Sequence, residues 1–133
     1  MNLLLDTCAL IWTLCEPDAL SPKARKALRD PAHSVYVSTV SFWEIALKAS
    51  IGKLELEGVR AEDFPALVDG EDWNVIPLDA ETAAGFGRIP KVAGHQDPFD
   101  RMLIHLAIGG GYHFVSKDAC VAEYMKLGLK VCW

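Results

Sequence analysis

Four acidic residues, each beside or inside an apolar segment, are the side chains of this sequence best suited to chemistry. Two follow short apolar runs and two lie in or next to apolar helical patterns: Asp6, Asp118, Glu44 and Asp100. Carboxylates brought together in such surroundings repel one another and lose solvation, which raises their pKa values. A hard divalent cation with oxygen ligands relieves both effects. The pattern therefore predicts metal-dependent chemistry on a phosphate ester.

The bulk composition is that of one folded domain spanning residues 1–133. Half of the residues are hydrophobic (51%), which argues against disorder. No apolar run approaches the roughly 20 residues that span a bilayer, so no membrane association is expected. The net charge of −5 argues against holding nucleic acid by a broad basic surface. Brief contact at an acidic site neutralised by metal stays possible.

The sequence contains four cysteines without C-x-x-C spacing: Cys8, Cys15, Cys120 and Cys132. We expect buried, reduced thiols, because free cysteine is readily buried. A zinc site combining them with His95 or His113 is disfavoured, since structural zinc prefers closely spaced ligand pairs. With no export signal at the N-terminus, a reducing, cytoplasmic setting is the simplest expectation.

Short β-rich runs alternate with helical patterns along the whole chain. The predicted strands are 3–5, 35–37, 75–76, 113–115 and 130–132. The predicted helices are 7–14, 22–28, 38–51, 61–68, 80–87, 98–108 and 118–127. This alternation predicts βαβ units, a mostly parallel sheet and helices on both of its faces. Ligands of such sheets bind beyond the carboxyl ends of the strands, where Asp6 and Asp118 both emerge.

Each acid also has a purely structural interpretation. Asp6 and Asp118 could cap helices, and Asp97 before Pro98 is a strong N-cap that places Asp100 in the first helical turn. Glu44 has a lysine four residues on and could form a surface ion pair. Capping, however, does not require that several acids converge at one edge of a sheet.

Neighbouring polar residues favour a pocket around these acids. Ser41, Glu44 and Lys48 form one polar stripe along an otherwise apolar helical pattern. Thr7 and Ser116 place hydroxyl groups beside acids, where such donors orient metal ligands. The stripe faces either solvent or the acidic site, and the pattern alone leaves both open.

Several segments, in chain order, resemble those of PIN-domain proteins, and within them the VapC-type toxins. They are L-L-L-D-T at 3–7, S-F-W-E-I-A-L-K at 41–48, G-K-L at 52–54, H-Q-D-P-F-D-R at 95–101, and S-K-D at 116–118 with Tyr124 following. The resemblance implies a three-layer α/β/α domain with a central, mostly parallel sheet. It implies an endoribonuclease that uses Mg²⁺ or Mn²⁺ and a metal-activated water to hydrolyse RNA phosphodiesters. It also implies a cognate antitoxin and a homodimer.

Residue by residue, the family's acidic positions fall on a set that would serve as catalytic residues and metal ligands: Asp6, Glu44, Asp100 and Asp118. Asp100 is preferred to Asp97 because an apolar helix follows it, and Asp97 is a further candidate ligand. Position 96 departs from the related motif, since Gln96 stands where arginine is frequent. Lys48 and Arg101 are candidates for steadying phosphate oxygens of the substrate.

Three other functions fit parts of the pattern. A receiver-type signalling module, which binds Mg²⁺ without catalysing hydrolysis, could use Asp6, Asp79 and Lys117. A phosphatase of the haloacid dehalogenase type could use Asp6 as nucleophile, but its motif requires an acid where this chain has Cys8. A PIN domain that binds RNA without cutting it is the third alternative.

Overall fold

Apolar runs of three to five residues build the central sheet of the structure, a computed structural model that describes residues 1–92 and 94–133. The five strands of this part of the chain are β1 Asn2–Leu5, β2 Ser34–Ser38, β3 Asn74–Ile76, β4 His113–Val115 and β5 Lys130–Cys132. Its α-helices are α1 Thr7–Cys15, α2 Pro22–Arg29, α3 Thr39–Ser50, α4 Phe64–Gly70, α5 Ala80–Ala84, α6 Pro98–Gly110 and α7 Val121–Met125. Single 3₁₀ turns occur at Pro17–Ala19, Ala61–Asp63 and Gly85–Arg88.

All strand pairs of the sheet are parallel, in the order β3-β2-β1-β4-β5. From β1 the chain builds outward to β2 and β3, then returns to place β4 on the other side of β1. The strand order therefore reverses between β1 and β4, and ligands of open parallel sheets bind at such a point. The predicted three-layer α/β/α architecture is confirmed.

The two faces of the sheet bury separate apolar clusters because side chains alternate along a strand. Leu3 and Leu5 pack on one face with residues of α1, α2 and α4, including Leu10 and Phe64. Leu4 packs on the other face with residues of α6 and α7, including Leu103, Ile104 and Tyr124. This packing holds the carboxyl ends of β1 and β4 in fixed positions.

Most helices begin where a short polar side chain caps them. Ser21 Oγ accepts from the Ala24 N–H at 3.0 Å, and Ser38 Oγ accepts from the Val40 N–H at 3.1 Å. Helix α6 ends at Gly111, whose φ of 68° is left-handed and suits glycine. In the described residues, no helix is long and apolar enough to cross a membrane.

The prediction of a helix over 118–127 is wrong in extent, because α7 covers only Val121–Met125. Ser116 Oγ accepts from the Asp118 N–H at 3.2 Å, and Asp118 Oδ1 accepts from the Cys120 N–H at 2.9 Å. These side-chain bonds offer the backbone a turn in place of a helical start. The turn keeps Asp118 at the sheet edge.

The expectation that all four cysteines are buried is also wrong. Cys8 and Cys15 are exposed, Cys120 is half-buried, and only Cys132 is buried among these free thiols. Positions 8 and 15 are seven residues apart and so share one face of α1, while Ala9 and Leu10 face the core. The apolar pattern of 7–15 does not reveal which face of the helix meets the sheet.

Candidate active site

Asp6 lies at the carboxyl end of β1, beside the point where the strand order reverses. Its backbone N–H donates to the Val115 carbonyl at 3.1 Å, which joins it to the end of β4. Its Oδ1 accepts from the Ala9 N–H at 2.6 Å and caps α1, as the structural interpretation predicted. Ser116 adds a hydrogen bond to the same carboxylate. The side chain is 7% exposed and held by local backbone, so it has a fixed position.

Glu44 reaches the same region from α3 and is only 4% exposed. Its Oε2 accepts a short hydrogen bond from Lys48 Nζ, and its Oε1 is buried without a hydrogen-bond partner. Glu44 and Lys48 do form an ion pair, as the structural interpretation predicted. The pair does not lie on the surface, however, because Glu44 is buried and only the lysine is partly exposed. A buried carboxylate oxygen without a donor is costly unless something else binds it.

The start of α6 contributes two acids. Asp97 Oδ1 caps the helix by accepting from the Phe99 and Asp100 N–H groups at 2.9 and 3.1 Å. Asp97 Oδ2 lies 3.6 Å from Lys48 Nζ. Ligand-capable oxygens of Glu44, Asp97 and Asp100 all lie within 4.8 Å of one another. Asp97 is therefore a cap that keeps one oxygen near the other acids.

Asp118 enters from the turn after β4. Its Oδ1 is engaged by the Cys120 N–H, and its Oδ2 lies 3.6 Å from His95 Nε2. Asp100 Oδ2 lies 3.7 Å from the same nitrogen. His95 thus stands between an acid of α6 and an acid of the β4 edge.

The electrostatics of Asp6 and Asp100 reflect this crowding. Burial raises the pKa of Asp6 to about 6; the charges of Glu44 and Asp118 add to the rise, against the hydrogen bonds from Ser116 and Ala9. Burial, followed by the charges of Asp97 and Glu44, raises the pKa of Asp100 to about 7. Cys8 is exposed as a residue, but its thiol lies among the atoms of this site, and the resulting desolvation, followed by the charge of Asp6, raises its pKa to about 11. A bound cation would lower all three values.

The donors at this site fit a hard divalent ion such as Mg²⁺ or Mn²⁺. They are carboxylate oxygens, one of which is buried without any partner, and such ions prefer oxygen ligands. Lys48 supplies part of the required positive charge. Burial alone would lower its pKa, but the hydrogen bond and charge of Glu44, with the charges of Asp97 and Asp100, raise it.

The predicted auxiliary and substrate-contacting residues differ in their contacts. Ser116 touches Asp6 and the Asp118 backbone, whereas Thr7 Oγ1 donates to Ser41 Oγ at 3.1 Å and links α1 to α3. Arg101 donates to the Ile89 carbonyl at 3.2 Å, and its guanidinium lies 4.8 Å from the Phe86 ring centre. Of the two cations, Lys48 is the one that faces the acids.

His95 is the residue of this site that the sequence reasoning left without a role. It is 7% exposed, its Nδ1 lies 2.7 Å from the Tyr124 hydroxyl, and its Nε2 is buried without a hydrogen-bond partner. Its position in the H-Q-D-P-F-D-R segment, beside two of the candidate acids, was the feature of the sequence that could have placed it at the site. Its contact with Tyr124, 29 residues away, depends on the tertiary fold.

An apolar groove lies beside the acids. The Trp43 and Phe99 rings are 5.0 Å apart, Trp43 is 61% exposed, and Lys48 Nζ lies 5.8 Å from the centre of the Phe99 ring. The groove is lined mainly by apolar side chains, among them Val40, Leu78, Phe86, Phe99 and Met102. Trp12 and Phe42 pack against the core, whereas Trp43 belongs to this surface.

The chain belongs to the PIN domain family, whose model matches residues 3–126. The predicted family membership is thereby confirmed. No curated protein matches the sequence significantly.

Solved structures of VapBC and FitAcB proteins share the fold. DNA-bound VapBC from Salmonella typhimurium matches with a TM-score of 0.65 and 18% identity, over 98% of this chain and 96% of that one. VapBC2 from Rickettsia felis, bound to a promoter DNA fragment, matches with a TM-score of 0.60 and 12% identity, over 98% and 97%. FitAcB from Neisseria gonorrhoeae matches with a TM-score of 0.57 and 21% identity, over 97% and 95%.

Proposed function

We propose that this chain is a VapC-type toxin, a single nuclease domain over residues 1–133 that hydrolyses RNA phosphodiesters with Mg²⁺ or Mn²⁺. Membership of the PIN family supports a nuclease. The observation that carries the proposal is the acidic group around the switch of strand order, in which Glu44 Oε1 is buried without a hydrogen-bond partner. A glutamate placed only to pair with Lys48 at the surface would not leave an oxygen buried in this way.

The acids that would hold one or two ions are Asp6, Glu44, Asp100 and Asp118, with Asp97 as a further ligand. When bound, the ion lowers the pKa of a water and neutralises charge developing on the phosphate. Asp6 is already fixed by the Ala9 N–H and Ser116, so it binds without reorganising. No serine, cysteine or histidine nucleophile is required.

Lys48 has a second task in this proposal. Without metal it neutralises Glu44 and approaches Asp97. An ion that takes over these carboxylates frees the ammonium group, which is one-third exposed and can then contact a phosphate oxygen of the RNA. Arg101 suits that role less well because its guanidinium is held by the Ile89 carbonyl and the Phe86 ring.

The apolar groove supports an antitoxin partner, and VapBC proteins, which share this fold, form a family of toxin–antitoxin systems. A helix of the antitoxin would place its apolar face against Trp43 and Phe99. Because Lys48 lies over the edge of this groove, an arginine or lysine on the same helix would reach the carboxylates. We include a homodimer in the proposal on the same family resemblance.

Cleavage of single-stranded RNA by purified protein tests the enzymatic proposal. Wild type should cut with Mn²⁺ or Mg²⁺ and not with EDTA. Asp6→Asn, Glu44→Gln and Asp100→Asn should each lose at least about 100-fold, which corresponds to about 2.7 kcal/mol of transition-state stabilisation. The matched control is Asp79→Asn, because Asp79 is exposed and caps α5, and asparagine also caps.

Three outcomes would contradict the proposal. Equal loss in Asp79→Asn would show that cleavage does not depend specifically on the acids of this site, and phosphate transfer from acetyl phosphate onto Asp79 would favour the receiver-type module. A wild-type protein that binds RNA and Mn²⁺ but leaves the RNA intact would favour a PIN domain that binds without cutting.

The partner is tested by growth. Expression of the chain alone should slow growth, and Asp6→Ala at equal protein level should relieve the effect. Co-expression with the adjacent small reading frame should restore growth and give a stable complex with lowered nuclease activity. Loss of the complex in Trp43→Ser would locate the partner in the groove, whereas an unchanged complex would exclude the groove.

A further inference from the structure

A second group of possible metal ligands lies next to the carboxylate group, and its chemistry is different. His95, Asp118 and Cys120 each offer one ligand atom, and these three atoms lie within 4.8 Å of one another. They provide one nitrogen, one oxygen and one sulfur. Magnesium binds oxygen almost exclusively, whereas zinc accepts all three donor types.

The strongest observation is the imidazole. His95 is 7% exposed, and its Nε2 is buried without a hydrogen-bond partner while it faces Asp118 Oδ2 at 3.6 Å and Asp100 Oδ2 at 3.7 Å. In tetrahedral zinc sites, N and O ligands are about 3.3–3.5 Å apart, given metal–ligand distances of about 2.0–2.2 Å. The observed separations are therefore close to those of two ligands on one ion.

The hydrogen bond at the other ring nitrogen, Nδ1, is compatible with the tautomer in which Nε2 carries no proton and can bind a metal ion. Nδ1 lies 2.7 Å from the Tyr124 hydroxyl, and a hydroxyl both donates and accepts hydrogen bonds. Tyr124 therefore accepts an Nδ1–H as readily as it donates to a bare Nδ1. Metal-bound histidines almost always donate their second N–H in this way.

Asp118 and Cys120 complete the set from one turn. Asp118 Oδ1 accepts from the Cys120 N–H at 2.9 Å, which fixes the carboxylate and leaves Oδ2 towards His95. Asp118 is 37% exposed and Cys120 is half-buried, so the group opens to solvent on one side. Three protein ligands and one open position make the type of zinc site that keeps a water.

We propose, against the expectation from cysteine spacing, that His95, Asp118 and Cys120 form a Zn²⁺ site that competes for Asp118 with the Mg²⁺ or Mn²⁺ site. Side-chain adjustments of about 1 Å bring the three ligand atoms to tetrahedral distances. Cys120 binds as the thiolate, and its proton passes to solvent. Zn²⁺ at this site withdraws Asp118 from the nuclease ion and inhibits cleavage. The inhibition rests on the proposed nuclease function, but the site itself does not.

Binding is measured first, without any activity assay. Co²⁺ in place of Zn²⁺ should give a thiolate-to-metal charge-transfer band in the near ultraviolet with wild type. The band should persist in Cys15→Ser, the control at an exposed cysteine far along α1, and vanish in Cys120→Ser. Competition with a chromophoric chelator should show Zn²⁺ affinity lowered at least about 10-fold in Cys120→Ser and His95→Gln, since even outer-shell partners contribute about 10–100-fold.

Inhibition is measured second. Zn²⁺ should raise the Mn²⁺ concentration required for cleavage by wild type and by Cys15→Ser, and Cys120→Ser should cut normally but resist Zn²⁺. Wild-type Zn²⁺ affinity in Cys120→Ser, or Co²⁺ binding without a thiolate band, would overturn the site. Equal inhibition of wild type and Cys120→Ser would overturn the competition for Asp118. If no variant cleaves RNA, the nuclease proposal fails while the Co²⁺ band still decides the zinc site.

Discussion

The acids at the strand ends and Glu44 on α3 are stabilised in different ways. Asp6 and Asp118 each accept a backbone N–H of their own turn, and Ser116 serves both. Glu44 instead depends on the Lys48 side chain, which also approaches Asp97. Backbone donors stay in place when a ligand arrives, whereas a lysine side chain can move away.

This difference suggests a division of labour within one site. The strand-end acids supply fixed positions, and the helix acids supply charge that is neutralised by lysine until a metal ion replaces it. Burial raises the pKa of Asp6 to about 6, which means that the ionised carboxylate destabilises the folded protein when no metal is bound. The hydrogen bonds to this carboxylate offset that penalty only in part. Replacement of residues in one region or the other should therefore change stability and metal binding differently.

The pH dependence of stability without metal tests the strand-end region. The pKa of Asp6 is raised from 3.8 to about 6 in the folded protein, so the folded state favours the protonated carboxyl. The free energy of unfolding is therefore unaffected by this shift below about pH 4 and falls as the pH rises from about 4 through 6. In EDTA, Asp6→Asn should therefore match wild type near pH 4 and exceed it at pH 7.5 by up to about 3 kcal/mol. Urea unfolding at several pH values measures this difference.

The control for that experiment is Asp79, whose pKa is shifted in the opposite direction. The Thr82 N–H and hydroxyl hold the pKa of the exposed Asp79 below its ordinary value, so its contribution is lost as pH falls. Asp79→Asn should therefore show no gain at pH 7.5. A stability difference between Asp6→Asn and wild type that does not change with pH would contradict the raised pKa.

Replacement of Lys48 tests the helix region. Lys48→Met leaves buried Glu44 without its cation and should lower the metal-free unfolding free energy by about 1–2 kcal/mol, less than for a fully buried pair because Lys48 is one-third exposed. Added Mn²⁺ should stabilise this variant more than wild type, since the competing ammonium is gone. Thermal melts with and without Mn²⁺ give both quantities.

Lys126→Met is the matched control, because Lys126 pairs with Glu123 at 3.0 Å on the exposed surface. Its effect should stay within about 0.5 kcal/mol, with the same Mn²⁺ response as wild type. A Lys48→Met protein as stable as wild type, with no larger Mn²⁺ response, would show that Lys48 is not the cation that balances Glu44.

Replacing the hydroxyl residues Ser116 and Thr7 should give the smallest effects. The two replacements distinguish a residue that orients metal ligands from one that only stabilises the fold. Ser116→Ala should weaken Mn²⁺ binding about 10-fold, because Ser116 orients Asp6 and Asp118. Thr7→Val should cost about 1 kcal/mol of stability through the lost bond to Ser41, without weakening Mn²⁺ binding. Isothermal titration with Mn²⁺ and urea unfolding measure the two effects, and the reverse pattern would reassign both hydroxyls.

Local chemistry explains what the sequence predicted correctly. All five strands are apolar runs close to the predicted positions, and the caps at Ser21, Asp97 and Asp79 begin helices because a side-chain oxygen near the chain's own N–H groups needs no tertiary partner. The alternation of strands and helices also predicted parallel pairing correctly, but it did not predict that β4 lies beside β1 and brings Ser116 next to Asp6.

What the sequence did not predict depends on contacts between distant elements. Lys48 appeared as half of a surface pair because its approach to Asp97 joins α3 to α6. His95 received no role because Tyr124 and Asp118 meet it only in the folded chain. The prediction that Cys8 and Cys15 are buried was wrong because α1 carries apolar residues on more than the face that packs against the sheet. The metal-ligand roles of the four acids stay a prediction.

An anomalous difference map from crystals grown with Mn²⁺ would locate the metal ion. We expect a strong peak between Asp6, Glu44 and Asp100, with Lys48 Nζ no longer paired to Glu44. A map with Mn²⁺ bound elsewhere on the protein but absent from this pocket, with the Lys48–Glu44 pair intact, would contradict this expectation.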